Sequence, residues 1–134
     1  MKIQFTILFL TLISFNAMAQ EDTTSSSEPE YEMKQYFFVF LNSAPDRPKL
    51  DSAEAMEIQK GHIDNIIKMS NEGKCKLAGP FMDNNVMRGI LIMDVATKEE
   101  VEALLENDPA VKGGLLIPEI RPWYGPTGLT VNPK

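Results

Sequence analysis

The sequence has one cysteine and one histidine in 134 residues, and this scarcity limits the chemistry available to it. Cys75 has no second cysteine with which to form an internal disulfide, and a lone cysteine in an apolar strand pattern is expected in the core. Metal sites usually need several His, Cys or carboxylate ligands at close spacing, and no such spacing occurs here. We therefore predict no metal site and no cofactor.

Basic residues are also in the minority. The chain has 13 Lys and Arg against 19 Asp and Glu, which gives a formal net charge of −6 at pH 7. Nucleic acids and anionic membranes are bound through clustered Lys and Arg, and the sequence contains no such cluster. Neither nucleic acid nor a membrane surface is therefore expected as a partner of the mature protein.

The N-terminal hydrophobic run is shorter than a membrane-spanning helix requires. It covers residues 3–15, against the roughly 20 residues that a spanning helix needs. The sequence "AMA" at residues 17–19 matches the small-residue pattern of a signal-peptide cleavage site. We predict a cleaved signal peptide at residues 1–19, with a membrane anchor as the alternative, and a periplasmic or secreted mature protein. Residues 20–34 are polar and aperiodic, which is typical of a flexible tether.

The remaining sequence predicts one domain at residues 35–125, followed by a tail at 126–134. Its hydrophobic periodicity changes in the order strand, helix, strand, strand, helix, strand. The strands are predicted at 36–41, 74–81, 86–95 and 115–124. The helices are predicted at 51–73, where Asp51 and Ser52 are good N-cap types, and at 97–107, where Thr97 is the cap and Glu100 stands at capping-box spacing. This order is typical of the ferredoxin-like α+β fold, a four-stranded antiparallel sheet with two helices on one face. Right-handed crossovers put the first and third strands in the middle. Lysines and prolines independently place the second and fourth strands at the edges.

Both central strands are apolar on their two faces, whereas two helices can cover only one face of the sheet. The uncovered face is expected to pack against a second copy of the chain, giving a homodimer of facing sheets, a dimeric α+β barrel. A monomer with an exposed apolar face is the alternative.

The single histidine lies in the apolar half of the first predicted helix. On a helical wheel His62 falls between Ile58 and Ile66, a position typical of a buried histidine bonded to a backbone carbonyl. Asp108 precedes Pro109 after the second helix, which is an ordinary turn position. The residues alone therefore leave a structural role open for both side chains.

The chain resembles the YCII-related (YciI-like) family of small dimeric α+β proteins. The resemblance is carried by His62, Gly73, "AGP" at residues 78–80, Gly89 and "DPAVKGG" at residues 108–114. It covers residues 36–124 and implies a dimeric ferredoxin-like fold with an active site centred on His62 and Asp108. Relatives with an assigned reaction include a dehydrochlorinase acting on a chlorinated hydroxyquinol, and the wider fold group includes muconolactone isomerases.

Two positions depart from the family pattern. Ala110 stands where an aromatic residue usually follows "DP", and Gln59 stands where an arginine often precedes the histidine by three residues. Both are candidate substrate-binding residues. Arg47 is a third candidate, because it could pair with an anionic substrate, as could Arg121.

Two functions follow from these residues. Imidazole can take up and return a proton near neutral pH, and a carboxylate on its other nitrogen would fix its tautomer. The first function is a lyase or isomerase that uses His62 as the base and Asp108 as its orienting partner on a small cyclic or aromatic compound. The alternative is a non-catalytic dimer that binds a small ligand or a protein partner. Whether the two side chains meet within one subunit or across the dimer is left open by the sequence.

Overall fold

The computed structural model describes residues 32–129. The predicted signal peptide, most of the predicted tether and the end of the predicted tail lie outside these residues. The elements are β1 (Met33–Ser43), α1 (Ser52–Asn71), β2 (Cys75–Pro80), β3 (Met87–Met93), α2 (Lys98–Glu106), α3 (Pro109–Lys112) and β4 (Leu116–Pro126). The four strands form one antiparallel sheet in the order β2-β3-β1-β4. The predicted ferredoxin-like fold, with β1 and β3 in the middle, is confirmed.

Strands β1 and β4 are longer than predicted. β1 and β4 pair over eleven residues each, from Met33 opposite Pro126 to Ser43 opposite Leu116. Met33 and Lys34 therefore belong to β1 rather than to the tether, and Pro126 belongs to β4 rather than to the tail. The prediction for β1 was short because it followed the continuous apolar run at residues 36–41, whereas backbone groups make the ladder whether or not the side chains are apolar.

Both long helices begin at the predicted caps. Asp51 accepts a hydrogen bond from the Glu54 N–H at 2.9 Å, and the Glu54 carboxylate accepts one from the Asp51 N–H at 3.2 Å, which completes a capping box. Thr97 caps α2 through the Glu100 N–H at 3.2 Å, but the Glu100 carboxylate lies 3.4 Å from Lys74 Nζ instead of closing a box. None of the helices within residues 32–129 combines the length and the hydropathy that a membrane-spanning helix needs.

The core lies between the helices and one face of the sheet. It is formed by apolar side chains from the central strands, β2 and both long helices: Phe37, Val39, Leu41, Leu91, Met93, Cys75, Met69, Val101 and Leu105. Burial of such side chains stabilises the fold by about 1.5–3 kcal/mol each. The core residues of β1 are separated by one position each, as expected for a strand with one face toward the helices.

Aromatic side chains occupy the opposite face of the sheet. The Tyr36 and Trp123 rings have centroids 5.8 Å apart, and the Phe38 ring lies 6.1 Å from Trp123 and 4.9 Å from Phe40. Ile92 lies opposite Phe38 on β3. Within residues 32–129, the helical core residues all pack on the other face, so this aromatic face is left without a helix.

Candidate functional site

A cavity of about 550 Å³ lies beside α1. One wall is formed by α1 side chains such as Ile58, Ile63 and Ile66, and another by residues of β2 and β3, among them Ala78 and Gly89. The strand residues in its wall include the small residues Ala78, Gly79 and Gly89 beside Leu41 and Leu91. Cavities of this volume are typical of small-molecule sites.

His62 lines this cavity and is hydrogen-bonded to Asp108 within the same chain. His62 Nδ1 lies 2.8 Å from Asp108 Oδ2 and 3.0 Å from Asp108 Oδ1. The Asp108 side chain is 1% exposed, whereas the His62 side chain keeps 11% of its surface exposed. The two residues are 46 positions apart in the sequence, and the fold brings them together within one subunit.

The Asp108 carboxylate is held by three groups. Besides His62, it accepts a hydrogen bond from the Asn65 side-chain amide at 3.2 Å and one from the Ala110 N–H at 2.9 Å, which makes it the N-cap of α3. Burial acts to raise the pKa of Asp108, but these hydrogen bonds and the charge of His62 outweigh burial and lower the pKa below its ordinary value of 3.8.

The ionised state of Asp108 determines the tautomer of the histidine. A carboxylate can only accept hydrogen bonds, so Nδ1 of His62 carries the proton that it donates. In the neutral ring, Nε2 then keeps a lone pair, and no hydrogen-bond partner for Nε2 occurs among residues 32–129. The arrangement presents a proton acceptor beside a cavity, with a buried carboxylate to stabilise the imidazolium after proton transfer.

Gly61 explains how α1 approaches α3 closely enough for this contact. A Cβ atom at Gly61 would lie only 2.8 Å from Cγ of Pro109, the residue after Asp108. Glycine in a helix interior costs up to about 1 kcal/mol relative to alanine. In α1 this cost accompanies a close helix-to-helix approach next to His62 and Asp108.

The structure brings most of the predicted site residues together. Gln59, Ala110 and Arg47 line the same cavity as His62, and Asp108 lies behind His62 rather than in the cavity wall. The suggestion that Arg121 could pair with a substrate is not supported by its position, because Arg121 lies on β4, where it pairs with Glu119, and not in the cavity wall.

Two residues at the site were not predicted. Asn65 lies three residues after His62 on α1, and residues at this spacing lie on the same face of a helix, so the sequence could have predicted that Asn65 lies next to His62. Arg88 lines the cavity from β3, and its sequence neighbours give no indication of this position. The short helix α3 was also missed, because four residues are too few to show a helical period.

Cys75 lies in the core, as predicted. Its side chain is buried, its Sγ donates to the Leu77 carbonyl at 3.3 Å, and burial raises the pKa of the thiol. These properties disfavour the reactive thiolate. Within the described residues, no three His, Cys, Asp or Glu side chains are grouped as they would be around a metal ion.

Comparisons with known proteins give a family match and likenesses among solved structures. The family model described as the YCII-related domain matches residues 37–124. A search of curated proteins found no match. Among solved structures, the chain is similar to 5-chloro-2-hydroxyhydroquinone dehydrochlorinase from Burkholderia phenoliruptrix AC1100, in complex with 2,5-dihydroxybenzoquinone. The TM-score is 0.46 and the sequence identity 20%, covering 65% of this chain and 92% of that one.

Proposed function

Because the chain belongs to the YCII-related domain family, we propose that it acts on a small molecule in the cavity, with His62 as the general acid–base. The observation that carries this proposal is the hydrogen bond between His62 Nδ1 and the buried Asp108 carboxylate at 2.8 Å. Asp108 is assigned the orienting role, and Asn65 and the Ala110 N–H hold Asp108 in turn.

The reaction class follows from what a single histidine base can do. His62 takes a proton from an activated carbon or a hydroxyl group of the substrate. In an isomerisation the imidazolium returns that proton to another substrate atom. In an elimination the electron pair of the broken C–H bond forms a double bond, and the leaving group departs with its own pair. General acid–base assistance of this kind is worth about 10²–10⁴ in rate.

The proposed substrates are small cyclic or aromatic carbonyl compounds and phenols. Such compounds fit a cavity of about 550 Å³ and have acidic C–H or O–H groups on which a base could act. The alternative function is binding without catalysis. It is favoured by Gln59 and Ala110, because the two positions that depart from the family pattern both line the cavity.

The test is a screen of these compounds for thermal stabilisation and turnover, followed by substitution of His62. For any compound turned over, His62→Ala is expected to lower kcat by about 10²–10⁴ while the protein remains folded by circular dichroism. Lys68→Ala, an exposed change on the same helix, serves as the matched control. Unchanged turnover in His62→Ala would remove the histidine from the mechanism, and stabilisation without turnover across the panel would favour the binding function.

We also propose that the protein associates with a second copy through the aromatic face of the sheet. Phe38, Phe40 and Trp123 are partly exposed there, Tyr36 is buried beside Trp123, and no helix of the described residues covers this group. Phe38→Asp should reduce the molar mass measured by light scattering from that of a dimer to that of a monomer. Glu57→Lys, on the exposed side of α1, should leave the mass unchanged. A monomeric wild type at micromolar concentration would refute the proposal.

A further inference from the structure

The charges in the cavity wall are of one sign. Arg47, from the segment between β1 and α1, and Arg88, from β3, both line the cavity, and no Asp or Glu is among the lining residues. The chain as a whole is acidic, with 19 Asp and Glu against 13 Lys and Arg. The charged residues of the cavity wall are therefore positive, whereas the net charge of the chain is negative.

Neither arginine has a carboxylate partner in the part of the chain that the structure describes. The salt bridges within residues 32–129 use other cations: Lys34, Lys60, Lys74, Lys76, Lys98 and Arg121, besides His62. The third arginine of the chain, Arg121, is paired with Glu119. The two arginines that lack such a pair are thus the two that line the cavity.

Arg88 is held in place by backbone groups. Its Nη1 donates to the carbonyls of Asp83 and Asn85, both at 3.3 Å, and these residues belong to the segment between β2 and β3. The Nε and Nη2 groups have no hydrogen-bond partner among residues 32–129. A guanidinium group with free N–H groups suits oxyanions: it can donate two parallel hydrogen bonds to a carboxylate, or converging ones to a single phenolate oxygen. Carbonyl contacts on one nitrogen reduce the side-chain entropy lost when such a ligand binds.

We infer that the ligand of this cavity carries a planar oxyanion, either a carboxylate or an ionised ring hydroxyl, which Arg47 and Arg88 bind. The apolar body of the ligand would contact the α1 side chains Ile63 and Ile66. This inference rests on the proposed function in one respect: both place the ligand in the same cavity. It adds the chemical class of that ligand. Arg47 and Arg88 are assigned binding and specificity, and His62 keeps the proton transfer.

The test compares anionic probes with neutral analogues of similar size and shape. Benzoate, 4-hydroxybenzoate and cyclohexanecarboxylate are each titrated against the matching carboxamide at pH 7.5 and low salt, with binding followed by NMR of the protein. A second arm compares 4-nitrophenolate with 4-nitroanisole, its neutral methyl ether, which separates a ring oxyanion from a carboxylate. At least one anion is expected to bind wild type about tenfold to a hundredfold more tightly than its neutral partner. That preference should fall as salt is added.

The variants assign the preference to the two arginines. Arg47→Gln and Arg88→Gln should each reduce the preference for the anion by about tenfold. Arg88→Lys should keep part of the preference, since lysine keeps the charge but lacks the two parallel N–H donors of the guanidinium group. Arg121→Gln is the matched control and should leave the affinity unchanged. Arg47 lies in an exposed segment, so its variant remains informative if Arg88→Gln fails to fold.

The outcomes also separate this inference from the proposed function. If no anion binds more tightly than its neutral partner, or if Arg121→Gln weakens binding as much as Arg47→Gln, the inference is wrong. Turnover of a neutral compound that depends on His62 but on neither arginine would overturn it while keeping the proposed function. Arginine-dependent binding of an anion without turnover of any compound would support it and count against catalysis.

Discussion

The two long helices cover the same face of one sheet but make different contacts with it. Helix α2 has nine residues and fully buries Val101 and Leu105. Helix α1 has 20 residues, yet its only fully buried apolar side chain is Met69, and the other buried residue is His62. Ile63 is 42% exposed and Ile67 51% exposed, although both lie in the apolar half of α1.

The difference comes from the strands beneath α1. Ala78, Gly79 and Gly89 have little or no side chain to fill the space, and Gly89 is so close to β2 that a Cβ atom there would lie 2.7 Å from the Gly79 carbonyl oxygen. These small residues are part of the wall of the cavity that α1 roofs. Apolar helical periodicity therefore marks a face turned toward the sheet, but the same periodicity does not distinguish a packed core from the wall of a cavity.

The largest expected effect is a contrast in stability between the two helices. Leu105→Ala should lower the free energy of unfolding by about 2–5 kcal/mol, because it opens a hole in a packed region. Ile63→Ala should cost less than about 1 kcal/mol, since that side chain is already partly exposed. Urea denaturation of both variants measures the contrast. Equal losses would mean that α1 packs against the sheet as closely as α2 does.

The next effect concerns Asp108, the charged side chain behind the cavity. Asp108→Asn should lower the free energy of unfolding by about 1–3 kcal/mol at pH 7, because a buried charge-assisted hydrogen bond to His62 is lost. The pKa of Asp108 is lower in the folded protein than its ordinary value of 3.8, so the unfolded state binds the proton more readily. The stability that the carboxylate contributes is therefore present above about pH 4 and is lost as the pH falls through the folded pKa.

The measurement for Asp108 is urea denaturation of wild type and Asp108→Asn from pH 3 to pH 7. The difference between the two proteins should be present above about pH 4 and shrink below it. A difference that stays constant through this range would contradict the assigned ionisation of Asp108.

A smaller effect is expected for Asn65, which positions Asp108. Asn65→Ala should cost about 0.5–1.5 kcal/mol and raise the pKa of Asp108, because one hydrogen bond to the ionised form is removed. Asn71→Ala, at the exposed end of α1, is the control. The readout that distinguishes positioning from mere packing is the acid-side pH dependence of unfolding, which should move upward only in Asn65→Ala.

The smallest expected effect concerns Gly61, whose lack of a Cβ atom is proposed to let α1 approach α3. Alanine should be favoured over glycine in a helix interior by up to about 1 kcal/mol, but a Cβ atom at Gly61 would meet Pro109. Gly61→Ala is therefore expected to destabilise the wild type and to stabilise Pro109→Ala by about 0.5–1 kcal/mol. A double-mutant cycle gives this coupling. Additive effects would show that the two residues do not restrict the approach.

Much of the fold could be predicted from local sequence patterns. The Asp51 and Thr97 caps, the two helical periods and the proline-marked edge strand β4 each depend on residues close in sequence, and the strand order followed from them. Sequence patterns did not predict the polar ends of β1 or the four-residue helix α3, because the side chains there show no hydrophobic period. In α1 they did not predict which apolar residues are buried, because exposed and buried apolar residues share one helical period.

The sequence by itself determined the order of the four strands and two long helices and the caps of those helices, because these depend on short-range periodicity and on residue type. Its resemblance to the YCII-related family pointed to His62 and Asp108, the two residues on which acid–base chemistry could rest. Only the tertiary structure decided that His62 and Asp108 meet within one chain, that a cavity lies beside them and that Arg88 lines its wall. The physical reason is that each of these contacts joins distant segments. Their separation depends on how closely backbones can approach, as at Gly61 with Pro109 and at Gly89 with Gly79.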